Sequence, residues 1–109
     1  MSPSTSDYCT DLQRIGDVVR KVRKGTETDE ELITTIDELQ VTVDTFAATV
    51  SDGESRKALS DVYDALGRLE VAIDAAGPNY RFDPVVKVSA KSLSFTGLTA
   101  ALILDCTPG

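Results

Sequence analysis

Two cysteines, Cys9 and Cys106, are the residues best suited to chemistry, and they stand almost a full chain length apart. Such a pair can form a structural disulfide, remain as two buried thiols, hold a metal or carry out redox exchange. The sequence contains no histidine, which removes the commonest general base, pH-sensitive group and metal ligand together. Two cysteines without histidine do not complete a tetrahedral zinc shell, and no C-x-x-C spacing is present for thiol exchange. Lipid modification of Cys9 would need an apolar segment ahead of it, where the residues are polar. The disulfide and the free-thiol pair remain.

The charged groups read as helix-end residues. Arg20-Lys21-Val22-Arg23-Lys24 can hold an anion or an acidic partner, but cations in a last helical turn also complement the macrodipole. Asp29-Glu30-Glu31 suits the start of a helix and lacks calcium-loop spacing. No nucleophile is paired with a base and no glycine-rich phosphate loop occurs. The expectation is a non-enzymatic protein with no cofactor and no metal.

Two segments are candidates for contact. Gly77-Pro78-Asn79-Tyr80-Arg81-Phe82-Asp83 sets two aromatics beside an arginine, a combination favoured in binding hot spots, although Tyr80 and Phe82 would also cap a core. Ser92 to Leu104 is 13 residues without a charge. There Leu93, Leu98, Ala100, Ala101, Ile103 and Leu104 lie off a single apolar seam. Such a helix is either more enclosed than its neighbours or leaves an apolar strip for a partner or for self-association. The small Ser92, Thr96 and Thr99 would leave room for an apolar ligand. The expected interaction residues are Tyr80, Arg81, Phe82, Leu93, Leu98, Ala101 and Ile103.

Four helices have to position these groups. Tyr8, Leu12, Ile15, Val19 and Val22 alternate steps of four and three, with Ser6 as cap, Asp7 in the first turn and Gly25 as stop. Thr28-x-x-Glu31 has capping-box spacing, and Leu32, Ile36, Leu39, Val43, Phe46 and Val50 follow it. Ser51-Asp52-Gly53 makes a turn. Leu59, Val62, Leu66, Leu69, Ile73 and Ala76 form the third seam, closed by Gly77-Pro78. Asp83-Pro84 reads as a cap with proline at the first helical position, and Val85, Val88, Ser92, Phe95, Thr99, Leu102 and Cys106 form the fourth seam. The alternation of Val86, Val88 and Ala90 also fits a strand; the uninterrupted Ala- and Leu-rich run to Leu104 favours helix.

Short connections predict an all-α, up-down-up-down four-helix bundle in one domain, residues 1–109, with loose ends at 1–5 and 107–109. That topology brings the first turn of helix one and the last turn of helix four to one pole, so it predicts a Cys9–Cys106 disulfide. It also predicts that Gly16 and Gly97 face each other where helices one and four approach. Arg81 and the basic run should share the opposite pole.

Composition agrees: of 109 residues 41% are hydrophobic, 27% charged and 6% aromatic, so the core is aliphatic. Residues 1–24 carry five cations against three carboxylates, which leaves −9 on the remainder of a chain of net charge −7. That field disfavours nucleic acid and anionic lipid surfaces at long range. No stretch approaches the ~20 apolar residues of a membrane span. A disulfide implies an oxidising, extracytoplasmic compartment, secreted or in the cell envelope; the chain shows no signal peptide, so export would require one already removed.

On Cys9, Cys106 and the Asp-, Thr-, Val- and Ala-rich helices between them, the chain resembles the small exported helical proteins of high-GC Gram-positive bacteria, which often tie an N-terminal cysteine to a C-terminal one. The resemblance has no motif that transfers a functional residue. The expected role is binding of another protein or self-association. The alternatives are a carrier with an apolar cavity inside the bundle and a cytosolic regulatory or immunity-type protein with free thiols.

Overall fold

The computed structural model describes residues 5–104 and Cys106, with side chains from Tyr8 onward. It contains α1 (Thr5–Lys24), α2 (Asp29–Thr49), α3 (Gly53–Ala76), a 3-10 segment (Gly77–Phe82) and α4 (Pro84–Ile103), with no strand among the described residues. Thr5, expected in the loose N-terminus, is already helical. Ser6, expected as the cap, lies inside the helix, whose first residue is Thr5, and the loose ends at 1–4 and 107–109 lie outside the described residues. The strand alternative for Val86 to Ala90 does not occur.

Each boundary has a local cause. Gly25 adopts φ 65°, and its N–H donates to the Lys21 carbonyl at 2.8 Å, ending α1. Thr28 Oγ1 accepts from the Glu31 N–H at 3.2 Å. Asp52 caps α3 by accepting from the Ser55 N–H at 2.9 Å and the Ser55 hydroxyl at 2.8 Å, bonds that hold its carboxyl below the usual range. Asp83 accepts from the N–H groups of Val85 and Val86, with Pro84 at the first helical position.

Two long-range ties establish the up-down order. Cys9 and Cys106 are disulfide-bonded, with Cα atoms 5.3 Å apart and a separation of 97 positions in sequence. This pins the start of α1 to the end of α4 and removes the free-thiol alternative. At the other pole the Tyr80 hydroxyl donates to the Glu27 carbonyl at 2.6 Å, joining the α3–α4 connection to the α1–α2 turn. Each helix packs against two neighbours in a closed ring, α1–α2–α3–α4–α1.

One apolar cluster draws on all four helices. Leu32, Ile36, Leu39 and Val43 of α2 are buried as their spacing predicts, and Phe46, half-buried, stacks on Tyr8. Of the adjacent valines on α1, Val18 is buried and Val19 only half-buried. The two valines complete the step pattern from Ile15 to Val22 equally well, so spacing alone does not choose between them. Helix α3 buries the widest face. It adds Ser55, Ala58, Ala65 and Ala72 to the expected leucines, valine and isoleucine. The three alanines recur every seven residues, so they form a low ridge against which neighbouring helices approach closely.

The largest correction concerns α4. Its buried face is Val86, Ala90, Leu93, Gly97 and Ala100, whereas the expected seam residues Val85, Val88, Phe95 and Leu102 are exposed. Both sets obey a four-three alternation. The close approach of α1 and of α3 to α4 selects the set with small side chains, because Ala90, Gly97 and Ala100 fit where Phe95 would not. A Cβ at Gly97 would stand 3.3 Å from Ile15 Cγ2, so Gly97 does mark the α1–α4 approach. Gly16 does not face it: a Cβ there would meet nothing within 4 Å. Ile15, one residue and about 100° around the helix from Gly16, occupies that contact instead.

Candidate functional site

With Leu93 buried in place of Phe95, α4 carries a second, outward apolar seam. Six of the ten exposed large apolar residues lie on it: Val85, Val88, Phe95, Leu98, Leu102 and Ile103, with Phe95 73% exposed. Phe82, 69% exposed, continues the strip past the start of the helix. Of the two readings of the charge-free stretch, the exposed apolar strip is the one observed.

The connection before α4 is anchored by Tyr80, whose ring is buried and whose phenol burial pushes above its ordinary value. That anchor turns Arg81 and Phe82 outward, with the Arg81 guanidinium 5.4 Å from the Phe82 ring centroid. The Arg81 side chain crosses Gly25 so closely that a Cβ there would lie 2.7 Å from Arg81 Cδ. Gly25 thus serves both the turn, by its positive φ, and the seating of Arg81.

Beside this pole a groove of about 840 Å³ runs between α1 and α4. Val19, Val22 and Arg23 of α1 form one wall, and Arg81 and Phe82 form the end. Lys87, Ala90, Lys91, Ser94, Phe95 and Leu98 form the α4 side. Four cations and no carboxylate line it. None of Arg23, Arg81, Lys87 and Lys91 has a carboxylate oxygen within 4.0 Å among the described residues. Elsewhere on α1, Arg14 pairs with Asp11 and Glu38, Arg20 with Asp17, and Lys21 with Glu27, while Lys24 at the helix end has no carboxylate within 4.0 Å among the described residues.

Among the expected interaction residues, Arg81, Phe82, Leu98 and Ile103 are exposed and Ala101 is half-buried. Leu93 and Tyr80 are corrections. Leu93 is fully buried in the α4 core face, and Tyr80 is buried by the hydrogen bond that fastens its loop. Arg81 meets Arg23 of the basic run at one pole, as the topology predicts. Sequence reasoning missed Val19, Lys87, Lys91 and Phe95. The available signal was Lys87-x-x-x-Lys91-x-x-x-Phe95, three successive turns on one face.

A second electrostatic feature lies across the bundle, where Glu70 of α3 shares a hydrogen bond with Asp37 of α2. That bond, partial burial and the charges of Asp37 and Asp74 push the Glu70 carboxyl up to about 7. The folded chain therefore holds this proton more tightly than the unfolded chain. The stabilisation is fully present below the ordinary carboxylate range and is lost as pH rises through about 7. Lowering the pH from 8 to 5.5 should raise the thermal midpoint by about 4–8 °C, which corresponds to on the order of 1 kcal/mol after solvent screening. Glu70→Gln should flatten that profile between pH 5.5 and 8; an unchanged slope in thermal melts would refute the shared proton. Among the described residues, no three cysteine or carboxylate groups are placed to hold a metal ion, and no helix is long and apolar enough to cross a membrane.

Fold and groove define a disulfide-closed, up-down four-helix bundle with one cationic, apolar cleft on its outer surface. Comparisons with protein-family models, curated proteins and solved structures return no match. The functional reading therefore rests on geometry and chemistry alone.

Proposed function

We propose that the chain is a non-enzymatic binding protein of an extracytoplasmic compartment, and that its contact surface is the outer side of α4 together with Arg81 and Phe82. The observation that carries this reading is the exposed seam of α4. A helix whose inner face is already filled by Leu93 and Gly97 gains nothing in folding from Phe95, Leu98 and Leu102 outside. Contiguous exposed apolar surface of this kind marks interaction sites. The disulfide supports the compartment, since such bonds persist where thiols are not kept reduced. Lack of histidine and the use of carboxylates as helix caps support a role without catalysis.

The carrier reading keeps a foothold, because the groove is large enough for a ligand. The groove lies outside the bundle, however, and not within it. Photocrosslinking in the producing cell tests the main proposal. A photoreactive residue placed at position 82, 98 or 102 should give discrete adducts, while one at the exposed Lys57 of α3 should give none. Equal yields at all four positions, or none at 82, 98 and 102, would overturn the assignment.

A further inference from the structure

The groove differs from the rest of the contact surface because its polarity is segregated. Arg23, Arg81 and Lys87 gather at the 3-10 pole, and Lys91 stands one turn further along α4. Beyond Lys91 the α4 side of the groove, Ser94, Phe95 and Leu98, is uncharged, and so are Val19 and Val22 on the α1 side. From Lys87 to Leu98 the groove follows about 16 Å of helix. Four cations without carboxylate partners among the described residues sit on a protein whose remaining groups must total −11 to give the chain its −7. Concentrating unpaired positive charge against that background calls for an anion at this pole and for apolar matter beyond it.

We propose that the α1–α4 groove binds a single-chain, phosphate-headed lipid, with the phosphate held by Arg23, Arg81 and Lys87 and the chain lying over Val19, Phe95 and Leu98. The inference rests on the reading of this face as a contact surface and goes further by naming its occupant. A phosphate monoester carries about −1.5 to −2 charges at neutral pH and accepts the forked donors of two arginines. The cavity lies within the ~300–1,000 Å³ usual for ligand sites. A docked acidic helix fits less well, because it presents carboxylates along its length and only its first turn would meet cations here. A second copy of the chain supplies no anion. Symmetric pairing of this face sets cations either against cations or over the partner's apolar end.

Calorimetric titration of the oxidised protein with dodecyl phosphate below its aggregation concentration tests the proposal. Binding should be saturable, one ligand per chain, and weakened by added salt. Inorganic phosphate should show no binding at the same concentrations, and dodecyl maltoside should bind at least about tenfold more weakly. Dropping two methylenes from the chain should weaken binding by up to about fifteenfold, the value for two fully buried methylenes. The double substitution R23Q/R81Q should reduce affinity by about 10- to 100-fold, and Phe95→Ser by about tenfold, with melting curves unchanged. Lys57→Gln should have no effect. Equal affinity for the neutral and phosphate-headed chains, unaltered binding by R23Q/R81Q, or an acidic amphipathic peptide binding more tightly than dodecyl phosphate would overturn it. Crosslinks from position 98 without dodecyl phosphate binding would sink this inference alone; loss of both would also remove the binding function proposed for the face.

Discussion

Replacing both cysteines, Cys9→Ser with Cys106→Ser, is expected to lower the unfolding free energy by about 4–5 kcal/mol. The bond spans 97 residues, so it constrains nearly the whole unfolded chain. Loop-closure entropy for a loop of that size corresponds to the same ~4–5 kcal/mol, a large share of the ~5–15 kcal/mol typical of a domain. The folded state has little to lose besides the crosslink. The chain end is also held by the Cys106 N–H, which donates to the Ala101 carbonyl at 2.6 Å, and serine leaves that bond in place. Urea denaturation of the two proteins, each fitted with its own slope because the crosslinked denatured state is more compact, measures the difference. A loss below about 1 kcal/mol would show that the bundle does not depend on the crosslink. Reductant should move the wild-type protein toward the variant's curve, which ties stability to compartment.

The second large effect separates two residues of α4 that are two positions apart. Leu93→Ala should cost about 2.7–5 kcal/mol, the range for emptying a leucine site in a packed core. Leu93 is 0% exposed and sits in the face that meets α1 and α3. Phe95→Ala, although it removes a larger side chain, should change stability by no more than about 0.5 kcal/mol, because Phe95 is 73% exposed. Thermal or urea denaturation of both variants distinguishes the two faces directly. If Phe95→Ala is the more damaging, α4 is rotated by roughly half a turn from the arrangement described and the groove does not exist. The comparison therefore tests the site as well as the fold.

These predictions mark where sequence information ends. Helices α2 and α3 were legible because each alternates a charged side with an aliphatic one. Leu32, Ile36, Leu39 and Val43, like Leu59, Leu66 and Leu69, had only one face to bury. The caps Thr28 and Asp83 and the stop at Gly25 were legible because each acts through atoms a few residues away, whereas Asp52, read only as part of a turn, also caps α3. Helix α4 was not. With no charge from Ser92 to Leu104, only Lys87 and Lys91 in its first half mark the outer side, and hydropathy, which ranks Phe95 above Gly97 as a core residue, points the other way. The groove was half legible. Arg81, Phe82 and Leu98 stood out by type, whereas Val19, Lys87 and Phe95 gained a role only after the helices were oriented.

By itself, then, the sequence determined four helices, their ends, their order and the closure of the ring through Cys9 and Cys106. Periodicity, capping and connection length are short-range properties, and a single crosslink at the termini follows from up-down order. Tertiary structure decided the rotation of α1 and α4 about their own axes. Close helix approach is a steric condition between chains of atoms distant in sequence, met by Ala90, Gly97 and Ala100 and by Ile15 against them. That choice buried Leu93, turned Phe95 and Leu98 outward, and brought Arg23, Arg81, Lys87 and Lys91 around one groove.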